Sequence, residues 1–337
     1  MVIQDLNILV VGIGSIGKRH SDVLYTALGC RHITLWDPVA ENAQRHAANY
    51  AGMQTVSTFE EGLRQHPDVV FICSPPALHM QQAEAAILAG AHVMVEKPLA
   101  LDMESLQKVM KLAKERNRMV SVALCNRYHK GLERVAQIIQ SGKLGKIVNI
   151  NSAMGEFFPD SRPDYKQTYY VKYNGCFELI HAVDYTIWLA GGQLSQIYGI
   201  CGSDADLGFE SPDNAMIIFR TDSNVTCSVN LAFYQTPTRC ELFVYGTNGS
   251  CELRYTHTEY TLRTYTRESG CWQEERVTDL YRNMMFEAEN REFLESVVTG
   301  QYRGCSMEDA ARAVQVYCQV YGDQYWKNST YVKMPQG

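Results

Sequence analysis

The sequence predicts an α/β protein in two parts. A doubly wound parallel sheet spans residues 1–124, and an α+β domain with an open-faced, mostly antiparallel sheet spans residues 125–337. Three observations carry this division. Up to about residue 124, short apolar runs alternate with helical stretches, the pattern of parallel strands joined by crossover helices. Those runs are apolar throughout, as strands covered on both faces must be. Beyond residue 125 the runs alternate apolar with polar residues, the pattern of strands with one wet face.

In the first part, a strand over 7–11 leads at once into Gly12-Ile-Gly-Ser-Ile-Gly17, and a helix over 18–28 follows, ending near Gly29. The glycine spacing is that of a dinucleotide-binding turn. Gly12 permits the tight turn, Gly14 lets a pyrophosphate approach the backbone, and Gly17 lets the helix pack closely. Ser15 and Ile16 complete the cradle, because a helix N-terminus offers unpaired N–H groups and partial positive charge to phosphates. A second strand over 32–36 ends in Asp37, twenty residues past Gly17, where a carboxylate accepts hydrogen bonds from a ribose and repels a 2′-phosphate. NAD is expected rather than NADP; the alternative is that Asp37-Pro38 is only a turn. Helices over 40–50 and 58–65, a strand over 69–73, a helix over 77–89, a strand over 93–95, a helix over 103–117 and a strand over 119–124 complete a Rossmann pattern. The strand ends (Gly12, Asp37, Ser74, Glu96-Lys97, Asn126-Arg127) should share one sheet edge and line one cleft. Pro98 biases Lys97 toward extended backbone, so Lys97 falls where a ligand would lie. The competing reading is a surface lysine paired with Glu96.

Size and charge narrow the class. A chain of 337 residues suits two domains. With 31 basic and 37 acidic side chains the net charge is −6 and no basic run occurs, which argues against nucleic-acid and membrane-surface partners. No apolar stretch approaches the ~20 residues that span a bilayer. The N-terminus carries no signal-like segment, and a cytoplasmic location is expected. The 11 cysteines are scattered, with no Cys-x-x-Cys pair, and are read as reduced, mostly buried side chains.

Phe71-Ile-Cys-Ser-Pro-Pro-Ala-Leu-His79 and Ala89-Gly-Ala-His-Val-Met-Val-Glu-Lys-Pro-Leu99, with Gly12-Ile-Gly-Ser-Ile-Gly-Lys-Arg-His20, resemble the glucose–fructose oxidoreductase / inositol dehydrogenase (Gfo/Idh/MocA) family over nearly the whole chain. The resemblance implies that Lys97 stands between nicotinamide and the substrate hydroxyl. It also implies that Ser74, Pro75 and His79, together with the Glu96-Lys97 pair, lie along the cofactor. The family's second domain is an open-faced sheet whose free face commonly joins subunits, so a homodimer or homotetramer is expected.

In the second part, a helix over 132–141 precedes strands over 147–153, 196–201, 215–220, 225–232, 239–245 and 250–255; helices over 283–299 and 307–324 close the chain. Residues 174–188 read as one helix with an apolar stripe of Leu179, Val183, Ile187 and Ala190. Glu178, His181, Tyr185 and Trp188 form the neighbouring stripe. Imidazole chemistry suits proton transfer with a hydroxyl, although a lone helical histidine is often structural. The resemblance implies that His181 is the acid/base with Glu178 beside it. Family members carry aspartate where Glu178 stands, and twin glycines where Asn174-Gly175 stands. Cys176, Glu178, His181 and Asp184 diverge in direction on one helix, and no metal is expected.

The stretch 157–173 is crowded with aromatic and cationic residues. It reads either as a covering loop or as a substrate loop in which Arg162, Tyr165 and Tyr169 bind sugar hydroxyls or phosphates. Arg127, just past a strand end, is placed to reach substrate, with the cofactor as the alternative. The sequence thus points to an NAD-dependent dehydrogenase that interconverts a secondary hydroxyl and a ketone. Its substrate would be a sugar, a sugar derivative (nucleotide- and amino-sugars included) or a cyclitol, with Lys97 and His181 catalytic and either one the base. Two alternatives share the fold: glycoside cleavage by transient oxidation, and a non-catalytic NAD-binding regulator.

Overall fold

A computed structural model describes residues 2–164, 174–208 and 211–321. The chain divides into two compact units. One is built from the segment up to Tyr128 with Asn283–Ala311, the other from His129–Arg282 with the segment from Arg312 onward.

The first unit is a six-stranded parallel sheet made of β1 (Ile8–Val11), β2 (Ile33–Trp36), β3 (Gln54–Thr55), β4 (Val69–Ile72), β5 (His92–Glu96) and β6 (Val120–Ala123), in the order β3-β2-β1-β4-β5-β6. Every residue of β1, β4 and β6 is buried, as the unbroken apolar runs of β1 and β4 require; in β6 the buried Ser121 donates to the Cys305 carbonyl at 3.3 Å. Helices α1 (Ser15–Thr26), α2 (Ala40–Ala47), α3 (Phe59–Arg64), α4 (Pro76–Leu88) and α5 (Met103–Glu115) connect the strands. The strand order reverses between β1 and β4, which is where dinucleotides bind in such sheets.

Helix α9 (Asn283–Thr299) also belongs to this unit. Its Met285, Phe286, Phe293 and Leu294 enter the same core as Val10, Leu35, Phe71 and Met94. The contiguous division read from the sequence groups this helix with the second part, because nothing local in a helix states which sheet it covers.

The second unit holds helix α6 (Lys130–Gln140), the short α7 (Phe158–Ser161), α8 (His181–Ala190) and an eight-stranded sheet. Its strands are β7 (Ile147–Phe157), β8 (Leu194–Gly202), β9 (Asn214–Thr221), β10 (Thr226–Ala232), β11 (Tyr234–Gly246), β12 (Gly249–Tyr255), β13 (Tyr260–Thr266) and β14 (Trp272–Val277), in the order β14-β13-β12-β11-β7-β10-β9-β8. All pairings are antiparallel except β7 with β10. Burial in β9 alternates strictly: Ala215, Ile217 and Phe219 are covered, while Met216 and Ile218 are half exposed. Helix α8 packs on β7, where Thr186 Oγ1 meets Ser152 Oγ at 2.7 Å.

Strands β13 and β14 were not legible as strands, and β7 and β11 run longer than their apolar cores. Helix α10 (Met307–Val320) completes the described chain. No helix among the described residues is long and apolar enough to cross a membrane.

Candidate active site

The sheet edge at the carboxyl ends of β1, β2, β4, β5 and β6 carries the glycine loop, Asp37, Ser74, Lys97 and Arg127 in turn. The three glycines have separable roles. Gly12 sits at φ +87°, and a Cβ there would lie 2.9 Å from the backbone of Cys73 and Ser74. A Cβ on Gly17 would fall 1.8 Å from the Gly12 carbonyl oxygen, so only hydrogen fits between α1 and the turn. Gly14 has nothing within 4 Å of its would-be Cβ, and it begins α1 without a side-chain cap. The loop therefore presents open space over an uncapped helix N-terminus, which is what a pyrophosphate needs.

Asp37 holds this loop as well as facing it. Its Oδ2 accepts from the Ile13 N–H at 2.7 Å, and its Oδ1 accepts from the Val39 N–H at 2.9 Å and from Asn42 Nδ2 at 3.1 Å. A carboxylate offers about four acceptor sites; three are used here.

On the other side of the strand-order reversal, Ser74 and the exposed Pro75 open α4. Ser74 Oγ donates to Gln82 Oε1 at 2.5 Å. His79 lies behind them, fully buried, its Nε2 2.8 Å from the Ser74 carbonyl and its Nδ1 3.0 Å from the Pro98 carbonyl. Burial, working against those carbonyls and the nearby Glu96, pushes the His79 pKa down. His79 has no exposed surface and braces the loops after β4 and β5 against each other.

Glu96 is likewise turned inward. It is 6% exposed, with Oε1 on His20 and Oε2 accepting from the Lys97 N–H at 3.0 Å. Its carboxylate thus joins α1 to the backbone of Lys97. Lys97 is partly exposed, and the Lys97–Pro98 peptide is cis. Arg127, in a 3₁₀ turn over Cys125–Tyr128, is mostly buried, with Nη1 4.0 Å from Asp309 Oδ2.

In the second unit, the helix expected over 174–188 is broken. Gly175–Leu179 winds as a 3₁₀ helix and α8 starts only at His181. The cause is Gly175, at φ +50°, whose would-be Cβ lies 2.1 Å from the Pro212 carbonyl, and that carbonyl accepts the Cys176 N–H at 2.6 Å. The stripe read at 100° per residue therefore does not run through Glu178 and His181. Glu178 takes a hydrogen bond from Asn174 Nδ2 at 3.3 Å, and His181 is the first residue of α8. Both are partly exposed. Arg162 is exposed just beyond α7, which Phe158 anchors by stacking on Phe233 at 4.0 Å. Tyr165 and Tyr169 lie outside the described residues. Among the described residues no group of three His, Cys, Asp or Glu is placed to hold a metal ion.

Sequence reasoning gave His20 and Asn290 no role. The signal for His20 was present: Gly17, His20, Ser21 and Leu24 form an i, i+3, i+4, i+7 stripe, so the histidine sits on the buried face of α1.

The strand order, the uncapped glycine loop and Asp37 together define a nucleotide-binding α/β protein. Residues 6–124 match the model of an oxidoreductase family with an NAD-binding Rossmann fold, and residues 132–252 match the GFO/IDH/MocA C-terminal domain. The chain belongs to the GFO/IDH/MocA family of oxidoreductases. It is 27% identical over 253 residues to inositol 2-dehydrogenase of Salmonella typhimurium, covering 72% of each chain. It is 31% identical over 140 residues to 4-carboxy-2-hydroxymuconate-6-semialdehyde dehydrogenase of Sphingobium sp., covering 41% of this chain and 44% of that one. A solved structure of UDP-N-acetylglucosamine 3-dehydrogenase GnnA from Acidithiobacillus ferrooxidans shares the fold, with a TM-score of 0.77 at 20% identity over 94% of this chain and 96% of that one.

Proposed function

We propose that this protein is a cytoplasmic, NAD-dependent dehydrogenase acting on a secondary hydroxyl of a sugar, sugar derivative or cyclitol, or on the corresponding ketone. The observation that carries the reading is the single sheet edge that lines up the open glycine loop, Asp37 and Lys97. The relationship to inositol 2-dehydrogenase favours a polyhydroxylated ring as substrate. The first part of the chain would bind the cofactor, and the second the substrate.

Bound NAD supplies the hydride acceptor. The protein does the rest. Backbone N–H groups of Ser15, Ile16 and Gly17 would hold the pyrophosphate, and Asp37 would accept from a ribose hydroxyl at its remaining acceptor site, where a 2′-phosphate would be repelled. Lys97 holds the substrate oxygen and stabilises charge developing on it. His181 exchanges the hydroxyl proton, with Glu178 orienting it, and Lys97 is the other candidate for that exchange. Arg162, Tyr165 and Tyr169 bind the rest of the ring, and Arg127 stiffens the site through Asp309. The wet face of the eight-stranded sheet, with Tyr198, Ile200, Met216 and Ile218 half exposed, joins copies of the chain into a dimer or tetramer.

The test is nicotinamide absorbance at 340 nm (a property of NADH) with NAD and a panel of cyclitols, sugars and sugar nucleotides, run with wild type, Lys97→Ala and His181→Ala. Reduction by wild type, with a drop of about 10³-fold or more in both variants, is the expected result. Tight NAD binding without turnover on any candidate overturns the reading.

A further inference from the structure

His20 takes no part in the chemistry just described, yet it is fully buried and holds a polar chain together. Its Nε2 lies 2.9 Å from Glu96 Oε1, and its Nδ1 lies 3.0 Å from the Asn290 side-chain amide. Asn290 is itself 0% exposed. The rings of Phe71 and Phe286 stand 5.4 and 5.5 Å from the imidazole, so apolar side chains wall the contact off from water. In such surroundings a hydrogen bond to a carboxylate is strong, and leaving one partner alone is costly.

The Asn290 Nδ2 has no hydrogen-bond partner as placed. Turning the amide over brings that donor to the imidazole Nδ1, which fixes the ring proton on Nε2, facing Glu96. The far oxygen of Glu96 then accepts from the Lys97 backbone N–H. Three elements distant in sequence thus end on one residue: α1 through His20, α9 through Asn290 and β5 through Glu96.

We propose that His20, oriented by Asn290, is a positioning residue that fixes Lys97 at the end of β5 by gripping the Glu96 carboxylate. The functional part of this rests on the reading of Lys97 as the residue that holds the substrate oxygen. The structural part does not.

The experiment has two arms on the full-length chain. Amide hydrogen exchange, read on peptides of the protein without cofactor, compares wild type, His20→Gln and Asn290→Leu. The Lys97 amide should exchange about tenfold faster in His20→Gln, and faster by a smaller factor in Asn290→Leu, while the Val69–Ile72 strand is unchanged. A general loss of stability would move both segments together. Unchanged Lys97 exchange, or equal acceleration in both segments, overturns the proposal.

The second arm measures NADH affinity by fluorescence, and kcat and KM on the substrate found in the panel. In His20→Gln, kcat should fall about a hundredfold, with nucleotide affinity held within about threefold. Affinity and kcat falling in step would place His20 in cofactor binding and overturn the positioning role. A wild type that turns over nothing, alongside the expected exchange result, sinks the dehydrogenase reading and leaves the brace standing.

Discussion

The two sheets solve one problem in opposite ways. The parallel sheet is covered on both faces, so its central strands are apolar at every position and its chemistry is confined to the edge where the strands end. The antiparallel sheet is covered on one face only. On its wet side the covered Leu253 gives way to neighbours such as Glu252 and Arg254, and ion pairs within and between strands take over. Arg263 lies 3.1 Å from Glu252 and 3.8 Å from Glu274, and Glu241 bridges Arg239 and Arg254. A strand's burial pattern therefore states which residues are free to serve a site or a partner. In the central strands of the first unit only the ends are free; in strands such as β9 of the second, every other residue is.

A one-residue step tests that contrast most sharply. In β9, Phe219→Ala should cost about 3–5 kcal/mol of stability, whereas Ile218→Ser next to it should cost less than about 0.5 kcal/mol. Ile218→Ser should nevertheless weaken self-association, read by light scattering across a dilution series. In β1 the same step makes no difference: Val10→Ala and Val11→Ala should each cost about 2 kcal/mol. Urea unfolding followed by circular dichroism checks all four, and equal costs at Phe219 and Ile218 would break the comparison.

The glycine loop offers a second pair. Gly17→Ala forces a methyl against the Gly12 carbonyl and should cost about 3 kcal/mol together with measurable NAD binding. Gly14→Ala meets open space, so its melting temperature should hold while NAD affinity drops about tenfold. Calorimetric melting and titration separate the two outcomes.

Acid should strike the second unit through His129. Burial, reinforced by Lys130 and opposed by the Thr256 carbonyl, lowers its pKa from 6.5 to about 4. Its Nδ1 accepts from the Gly131 N–H at 3.1 Å at the start of α6, and its Nε2 faces the Thr256 carbonyl at 3.0 Å, an arrangement that needs the neutral ring. Between those pH values the unfolded chain binds a proton that the folded one refuses. The contribution is complete above pH 6.5 and is lost as pH falls toward 4, roughly 3 kcal/mol in all. His129→Asn keeps a capping side chain without titrating and should flatten the stability–pH slope over that range.

The smallest effect concerns cofactor choice. Asp37→Ser should narrow the NAD-over-NADP preference about tenfold in kcat/KM and weaken NAD as well, since the Ile13 N–H loses its acceptor. An unchanged preference would leave Asp37 as a loop brace alone.

Much of the first unit was legible because its signals are local: apolar runs, the glycine spacing, and Asp37 and Lys97 next to strand ends. What escaped depends on distance in sequence. Strands β13 and β14 are rich in Thr, Arg, Gln and Glu, and they hold to the sheet through backbone pairing and ion pairs that no apolar count detects. The 3₁₀ start before His181 follows from the Gly175 contact with Pro212, a residue 37 positions away. His79, which the resemblance sets along the cofactor, is fully buried between the loops after β4 and β5, a placement that no local pattern states. Asn290 lies 270 residues from His20, beyond the reach of any local pattern.

That last distance has a consequence for how the protein is made. Residues up to 128 contain all six strands of the parallel sheet, but the helix carrying Phe286, Asn290 and Phe293 is made only after the whole of the second sheet. At typical elongation rates, roughly tens of seconds separate α1 from its partner. Through that interval the nascent sheet exposes the apolar ground on which α9 will settle, and His20 waits without Asn290. A shortened gene ending at residue 128 should therefore yield a sticky, chaperone-dependent product, and the nucleotide site matures only once α9 has been made.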